Sequence, residues 1–357
     1  MANGILSEKE LERIEQLTLN STIPELQEAM KHEKLTALQL TQFYLQQIEN
    51  KNKQLNAVIS VLPNALVNAK MLDTERKKNR LRGNLHGIPI IIKDNIETTK
   101  VATTAGSLAL KDNLTNRDAT LIKNLKRAGA IILAKANLSE WAYFFCSGCP
   151  VGYSAVGGQT LNPYGRKVFE TGGSSSGSGV TVAANFAVAA VGTETSGSIT
   201  SPSSQNSVVG LKPTIGVLSR TGIVPISSTL DTPGPMTKNV IDNAIFLQAM
   251  YGFDAKDDAS LDKDLREQDF EKSILTASLK GKRFGVLKSL LGNNTYKATV
   301  DKMKAAGAEM IEITPKREAF KGFITLLNID MKHDLPNYLV NNADKNVKVK
   351  SVKDVTV

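Results

Sequence analysis

One phrase occurs twice in this chain and narrows the folds open to it. Leu121 to Ala134 reads as a helix, a glycine-alanine turn and a strand, Ala128-Gly-Ala-Ile-Ile-Leu133. The same order returns in Val300-Asp-Lys-Met-Lys-Ala-Ala-Gly-Ala-Glu-Met-Ile-Glu-Ile313. Helix followed by strand, used again, predicts an α/β layered architecture with helices on both faces of a sheet. Two isolated occurrences do not make a repeat array. Ile88 to Ile92 adds a short apolar run rich in β-branched residues, too brief for a helix and expected to be a buried strand. Residues 1–80 are helical in pattern. Ser7 and Glu10 make a capping box. Ala37, Leu40, Thr41, Tyr44, Leu45 and Ile48 recur at three- and four-residue spacing on one face. A further helix follows Pro63, through Ala65 and Met71, to the charged run at 75–80.

A chain of 357 residues has room for two or three domains at about 100–200 residues each. No linker divides it, so 1–357 is read as one domain, with a helical amino-terminal region over 1–80 and a catalytic core over 85–240. With 41% hydrophobic and 22% charged residues the composition is that of a folded protein. The net charge of +9 is dispersed; runs such as Lys77 to Arg80 and Lys345 to Lys353 lack interleaved aromatics and read as solvated faces, so no nucleic-acid partner is expected. The first ten residues lack the basic-then-apolar order of a secretory signal. The longest apolar stretch, Val180 to Val191, is broken by Thr181 and Asn185 and falls short of the roughly 20 residues that span a bilayer. A cytoplasmic protein without membrane contact is the expectation. Cys146 and Cys149 have the spacing of a redox pair or half a zinc site. A structural zinc needs four ligands, and no second pair follows at finger spacing. Two thiols in a loop is the plain reading, with no metal and no cofactor.

Between about 148 and 240 glycine, serine, threonine and proline dominate and charge falls away, while embedded apolar segments argue for tight packing. Three positions carry the chemistry. They are Lys93 at the end of Ile88-Pro-Ile-Ile-Ile-Lys93, Ser174 in Gly172-Gly-Ser-Ser-Ser-Gly-Ser-Gly179, and Ser198 in Gly192-Thr-Glu-Thr-Ser-Gly-Ser-Ile199. A serine hydroxyl is a poor nucleophile until a base removes its proton. The histidines are His32, His86 and His333, and two of them lie in charged runs. Only His86, just before the predicted strand, is open to a Ser-His-Asp arrangement. A lysine ending a buried strand must reach water or be held by polar partners; locally, Asp94 and Glu97 offer ion pairs. The Gly-Ser segment lacks the Gly-Lys-Ser/Thr ending of a phosphate loop and the strand–helix context of a dinucleotide site. In the second cluster, small residues can bring their N–H groups to one point, as an oxyanion hole requires, with Gly197 allowing close approach. Together these positions read as a hydrolase whose proton shuttle uses no histidine.

Lys93 within Lys-Asp-Asn-Ile, the Gly-Gly-Ser-Ser-Ser-Gly-Ser stretch, the step from Ser174 to Ser198, and Val208-Val-Gly-Leu-Lys-Pro-Thr214 together resemble the amidase signature family. The resemblance runs from about residue 22 onward and is most specific over 85–240. Gly157 to Tyr164, Ser219 to Ile226 and Asp231-Thr-Pro-Gly-Pro235 look most like its peptide amidase branch. The resemblance implies a central mixed, twisted sheet and a Ser-Ser-Lys triad. Ser198 would be the nucleophile forming an acyl-enzyme, Ser174 a bridging serine after a cis peptide bond from Gly173, and Lys93 the base. The N–H groups of Thr195, Ser196, Gly197 and Ser198 would hold the oxyanion, and Ser175 would orient the relay. It implies substrates that are small amides or C-terminally amidated peptides. The alternatives are the glutaminase subunit of a tRNA-dependent amidotransferase, which works with partner subunits, and a non-catalytic amidase-like protein. Three departures stand out: Thr200 where many members carry arginine, cysteines at 146 and 149 where related chains carry serines, and an end at Val357 where relatives continue.

Overall fold

The computed structural model describes residues 6–146, 148–260, 269–316 and 321–355. Residues 1–5 of the amino-terminal reading, and Ser147 between the two cysteines, lie outside them. The chain forms two compact units, 1–268 with 329–357, and 269–328.

In the larger unit three helices come first, α1 (Glu8–Asn20), α2 (Ile23–Lys31) and α3 (Ala37–Leu55). Each opens with a capping box, at Ser7/Glu10, Thr22/Glu25 and Thr36/Gln39, so the free N–H groups of each first turn find side-chain acceptors. The apolar stripe of α3 is buried as its spacing predicts, from Leu40 through Tyr44 to Ile48. The helical reading of 1–80 missed one element, strand β1 (Val58–Val61), which precedes α4 (Ala65–Lys77). With four residues, of which one is buried and one exposed, β1 is too short to show a period.

Strand β2 (Pro89–Lys93) and strand β3 (Ile131–Ala136), the latter following α5 (Thr120–Arg127), are buried at every position. The hairpin β4 (Tyr153–Ser154) and β5 (Gly158–Gln159) leads to α6 (Ser176–Ala183) and then β6 (Ala189–Glu194). The apolar stretch 180–191 is thus the end of a helix, a turn and the start of a strand. Helix α7 (Thr200–Gln205), β7 (Val209–Gly210), β8 (Thr232–Thr237) and α8 (Val240–Met250) follow. The main sheet runs β1-β3-β2-β6-β8-β7. Its centre, β3-β2-β6, is parallel, while β1, β8 and β7 pair antiparallel. This is the mixed sheet that the resemblance implies, with the helices that the repeated helix–strand phrase predicts. Strands buried on both faces read as continuous apolar runs. Full burial of an isoleucine such as Ile90, Ile91 or Ile92 contributes about 1.5–3 kcal/mol.

Gly177, in the first turn of α6, shows how closely that helix lies on its neighbours. A Cβ there would sit 2.4 Å from Ala57 O and 2.5 Å from Asn137 O, a contact only glycine permits.

The smaller unit holds α9 (Phe270–Leu275), β9 (Arg283–Leu287), α10 (Asn294–Ala305) and β10 (Glu309–Ile313). The second copy of the helix–turn–strand phrase is α10 and β10, and β10 pairs parallel with β9 in a separate two-stranded sheet. Helix α11 (Phe323–Asn341) returns the chain to the larger unit from Ile329, and α12 (Val352–Val355) ends the described residues. No helix among the described residues is long and apolar enough to cross a membrane.

Candidate active site

Because β2 and β6 run parallel and adjacent, Lys93 at the carboxyl end of one lies beside the Thr193–Glu194 end of the other. In open α/β sheets this edge is where ligands collect. Lys93 is wholly buried. Its Nζ donates to Ser174 Oγ at 2.8 Å, to Thr193 Oγ1 at 2.8 Å and to the Thr193 carbonyl at 3.2 Å. The ion pairs suggested by local sequence do not form. Asp94 pairs instead with Lys135 of β3 at 3.1 Å, both buried. Glu97 takes the Arg117 guanidinium in two bonds of 2.7 and 2.9 Å, with a third from the Tyr338 hydroxyl. Side chains of successive strand residues leave opposite faces, which separates Lys93 from its neighbour Asp94. Burial pushes the Lys93 amine down to about 7, against the pull of the Asp231 and Glu194 carboxylates. A protonated Lys93 and a neutral one are then both accessible near neutral pH.

The Gly173–Ser174 peptide bond is cis. The Ser174 carbonyl accepts from Ser139 N–H at 3.0 Å, and Ser175 N–H donates to the Ser198 carbonyl at 3.1 Å, which draws the two serine segments together. Ser175 Oγ donates to the Thr193 carbonyl at 3.0 Å and accepts from Thr193 N–H at 3.2 Å. Ser175 therefore fixes the residue that holds Lys93 and makes no hydrogen bond to Lys93 itself. Ser198 is buried, yet its hydroxyl is held by no hydrogen bond among the described residues.

Thr195, Ser196 and Gly197 form the turn between β6 and α7, more open than the strand before it. Gly197 has φ +82°, and open space where a Cβ would be, so backbone conformation and not crowding calls for glycine. Glu194 closes the turn from inside, its Oε2 accepting from Ile199 N–H (2.7 Å), Thr200 N–H (2.9 Å) and Thr200 Oγ1 (3.2 Å). Thr200, at the position of the family's frequent arginine, serves here as a donor to Glu194. Thr195 Oγ1 donates to Asp231 at 2.5 Å, and the other Asp231 oxygen accepts from Ile226 and Ser227 N–H. Burial raises the Asp231 carboxyl, with these bonds opposing.

A cavity of about 630 Å³ opens on this edge, lined by Asn95, Thr193, Thr195 and Asp231 and by Arg220 and Tyr338. Thr193, Glu194, Asp231 and Asn95 do not stand out as site residues in the sequence. The first two lie inside the second serine cluster, and Asp231 opens the Asp-Thr-Pro-Gly-Pro run.

One open alternative, a His86 base, is set aside, and one expectation, of two thiols at 146 and 149, is corrected. His86 lies before β2, at the opposite end of that strand from Lys93. Its Nδ1 accepts from Arg82 N–H at 3.2 Å, leaving Nε2 to donate to Leu72 O at 2.9 Å, so neither ring nitrogen is free to act as a base. Cys146 and Cys149 are joined in a disulfide and are not two thiols. Their Cα atoms lie 5.6 Å apart, the usual separation for such a bond. Tyr143 Oη donates to the Cys149 carbonyl at 2.8 Å within the same loop.

The sheet is that of an α/β protein, with a lysine, two serines and a small-residue turn gathered at one edge. The amidase family model matches residues 39–354, and the chain belongs to that family. Among solved structures, the peptide amidase of Stenotrophomonas maltophilia superposes with a TM-score of 0.87 at 41% identity, covering 94% of this chain and 70% of that one. A probable amidase of Arabidopsis thaliana is 44% identical over 272 residues, 75% of this chain and 53% of that protein. A glutamyl-tRNA(Gln) amidotransferase subunit of Thermoanaerobacter pseudethanolicus is 39% identical over 301 residues, 82% of this chain and 60% of its own length. The chain spans about half the length of the first of the curated relatives it matches.

Proposed function

We propose that this chain carries the catalytic site of an amide hydrolase acting on small amides or C-terminally amidated peptides through an acyl-enzyme. The observation that carries the reading is the 2.8 Å bond between Lys93 and Ser174, made by an amine that burial leaves half neutral near pH 7. Neutral Lys93 accepts the Ser174 proton as Ser174 takes that of Ser198, whose Oγ attacks the amide carbon. The N–H groups of Thr195, Ser196, Gly197 and Ser198 receive the developing oxyanion; none donates to another acceptor among the described residues. Lys93, now an ammonium, returns the proton through Ser174 to the leaving nitrogen, and the C–N bond breaks. Water, deprotonated by the same route, then releases the acid and frees Ser198. No cofactor enters this scheme.

The test is ammonia release from short amides, amidated peptides and glutamine, followed against pH. Protonation removes the base, so kcat/KM is expected to fall about tenfold per pH unit below roughly 7 and to level off above it. A rate unchanged between pH 5 and 8 contradicts the lysine base.

A second reading has one specific support, the 39% identity to the amidotransferase subunit. Under it, glutamine turnover appears only when the partner subunits are supplied. The proposal also keeps the protein in the cytoplasm. There the Cys146–Cys149 bond would meet a reducing pool, and two alkylatable thiols in cells quenched with alkylating agent would support that setting, none would oppose it.

A further inference from the structure

We infer that Asn95 is a positioning residue for the lysine base, acting through Thr193. This rests on the amide-hydrolase reading above and extends it to a residue whose amide bonds to Thr193 and to neither serine.

Asn95 stands two residues beyond Lys93, is 3% exposed, and borders the cavity. Its Nδ2 donates to Thr193 Oγ1 at 3.0 Å, the same oxygen that accepts from Lys93 Nζ at 2.8 Å. Its own Oδ1 is buried and makes no hydrogen bond among the described residues. An orphaned buried acceptor is costly, and an apolar side chain of that size would avoid the cost. What the amide supplies in exchange is the bond to Thr193.

Threonine is stiff at χ1 and offers a hydroxyl or a methyl to any one direction. With Asn95 Nδ2 on one lone pair of Oγ1, the hydroxyl is turned toward Lys93 and the methyl away from it. Lys93 then has two fixed acceptors on Thr193, Oγ1 and the carbonyl, and the remaining position on nitrogen faces Ser174 Oγ. In the neutral amine that position is the lone pair. If Thr193 turns its methyl inward, the amine loses one anchor and its lone pair is no longer directed at Ser174. Asn95 also places the positive end of an amide dipole near the amine while adding no charge. The charged groups about Lys93 are the carboxylates of Asp231 and Glu194; on the next strand Lys135 is already neutralised by Asp94. An aspartate at 95 would be a third carboxylate beside the base, and one unable to donate to Thr193.

The experiment compares wild type with Asn95→Leu, Asn95→Asp, Thr193→Val and the Asn95→Leu/Thr193→Val double variant. Two readouts are taken: kcat and KM for ammonia release against pH, and the NMR titration of ¹³Cε-lysine, with the Lys93 resonance assigned by its loss in Lys93→Met. Asn95→Leu is expected to lower kcat on the order of tenfold with KM little changed, as for a weakened acid–base step. Asn95→Asp is expected to move both the acid limb and the Lys93 titration upward by one unit or more. On Thr193→Val, adding Asn95→Leu should cost nothing further, because the path through Thr193 is already cut. A Lys93 titration and a pH profile that overlay wild type in Asn95→Leu and Asn95→Asp overturn the inference, as does full additivity in the double variant. If wild type hydrolyses no amide, the proposed function falls, and the lysine titration alone still decides whether Asn95 controls Lys93.

Discussion

Replacing Ser198 with alanine is expected to reduce ammonia release by on the order of 10⁴-fold or more, the scale seen when a nucleophile that acts in concert with its base is removed. The side chain is small, buried and free of hydrogen bonds among the described residues, so its loss opens little space and breaks no network. Folding should be unaffected, and a thermal unfolding curve that matches wild type is the control. Ser174→Ala should fall almost as far, but by another route: Lys93 then keeps its two Thr193 contacts and has no hydroxyl to relay through. Activity within tenfold of wild type in Ser198→Ala would show that another group attacks the amide.

Lys93→Met is expected to do two opposite things. It removes the base, at a cost of about 10²–10⁴ in kcat, the range typical of a positioned acid–base group. It should also stabilise the fold at low pH. The amine titrates near 7 when folded against an ordinary 10.5, so between these values the unfolded chain binds more protons than the native one. The destabilisation this causes is fully present below pH 7, shrinks as pH rises, and is absent above about 10.5. A shift of that size corresponds to several kcal/mol, on the order of 3–5. Methionine fills similar volume without a charge, so its variant should gain most in urea midpoint at pH 6 and little at pH 10. A functional group that burdens the fold it sits in has this signature. A variant that loses activity and gains no stability at pH 6 would mean that Lys93 is not strained by burial.

The parts of this molecule that can be read from its sequence are those where a short-range pattern coincides with a physical demand. The strand at 89–93 declares itself because a parallel strand covered on both faces must be apolar throughout, and the phrase 121–134 because helix and strand periods adjoin there. The capping box at Ser7 and Glu10 is legible for the same reason. Strand β1 is not, since its four residues, Val-Ile-Ser-Val, grade from buried to exposed and show no alternation. For the site, motif resemblance names Lys93, Ser174, Ser175 and the turn at 195–198, and the sheet pairing is what gathers them at one edge. Local context alone points Lys93 to Asp94 or Glu97. The actual partner, Thr193, lies 100 residues away and is reached only through the β2–β6 pairing. The roles of Asp231 and Glu194 depend in the same way on long-range or turn geometry that no window of sequence contains. The cysteine reading fails for a different reason. Cys146 and Cys149 are spaced equally well for a bond, a metal or two thiols, and only the loop's path brings the sulfurs together.

Central to the account is a neutral Lys93 that activates Ser198 by way of Ser174. A fluorophosphonate probe reports on that directly, because it reacts with an activated serine and needs no knowledge of the natural amide. Labelling should fall on Ser198 alone by peptide mapping, rise with pH to half its maximum rate near 7, and vanish in Lys93→Met. Label on another residue, or equal labelling rates in wild type and Lys93→Met, would contradict it.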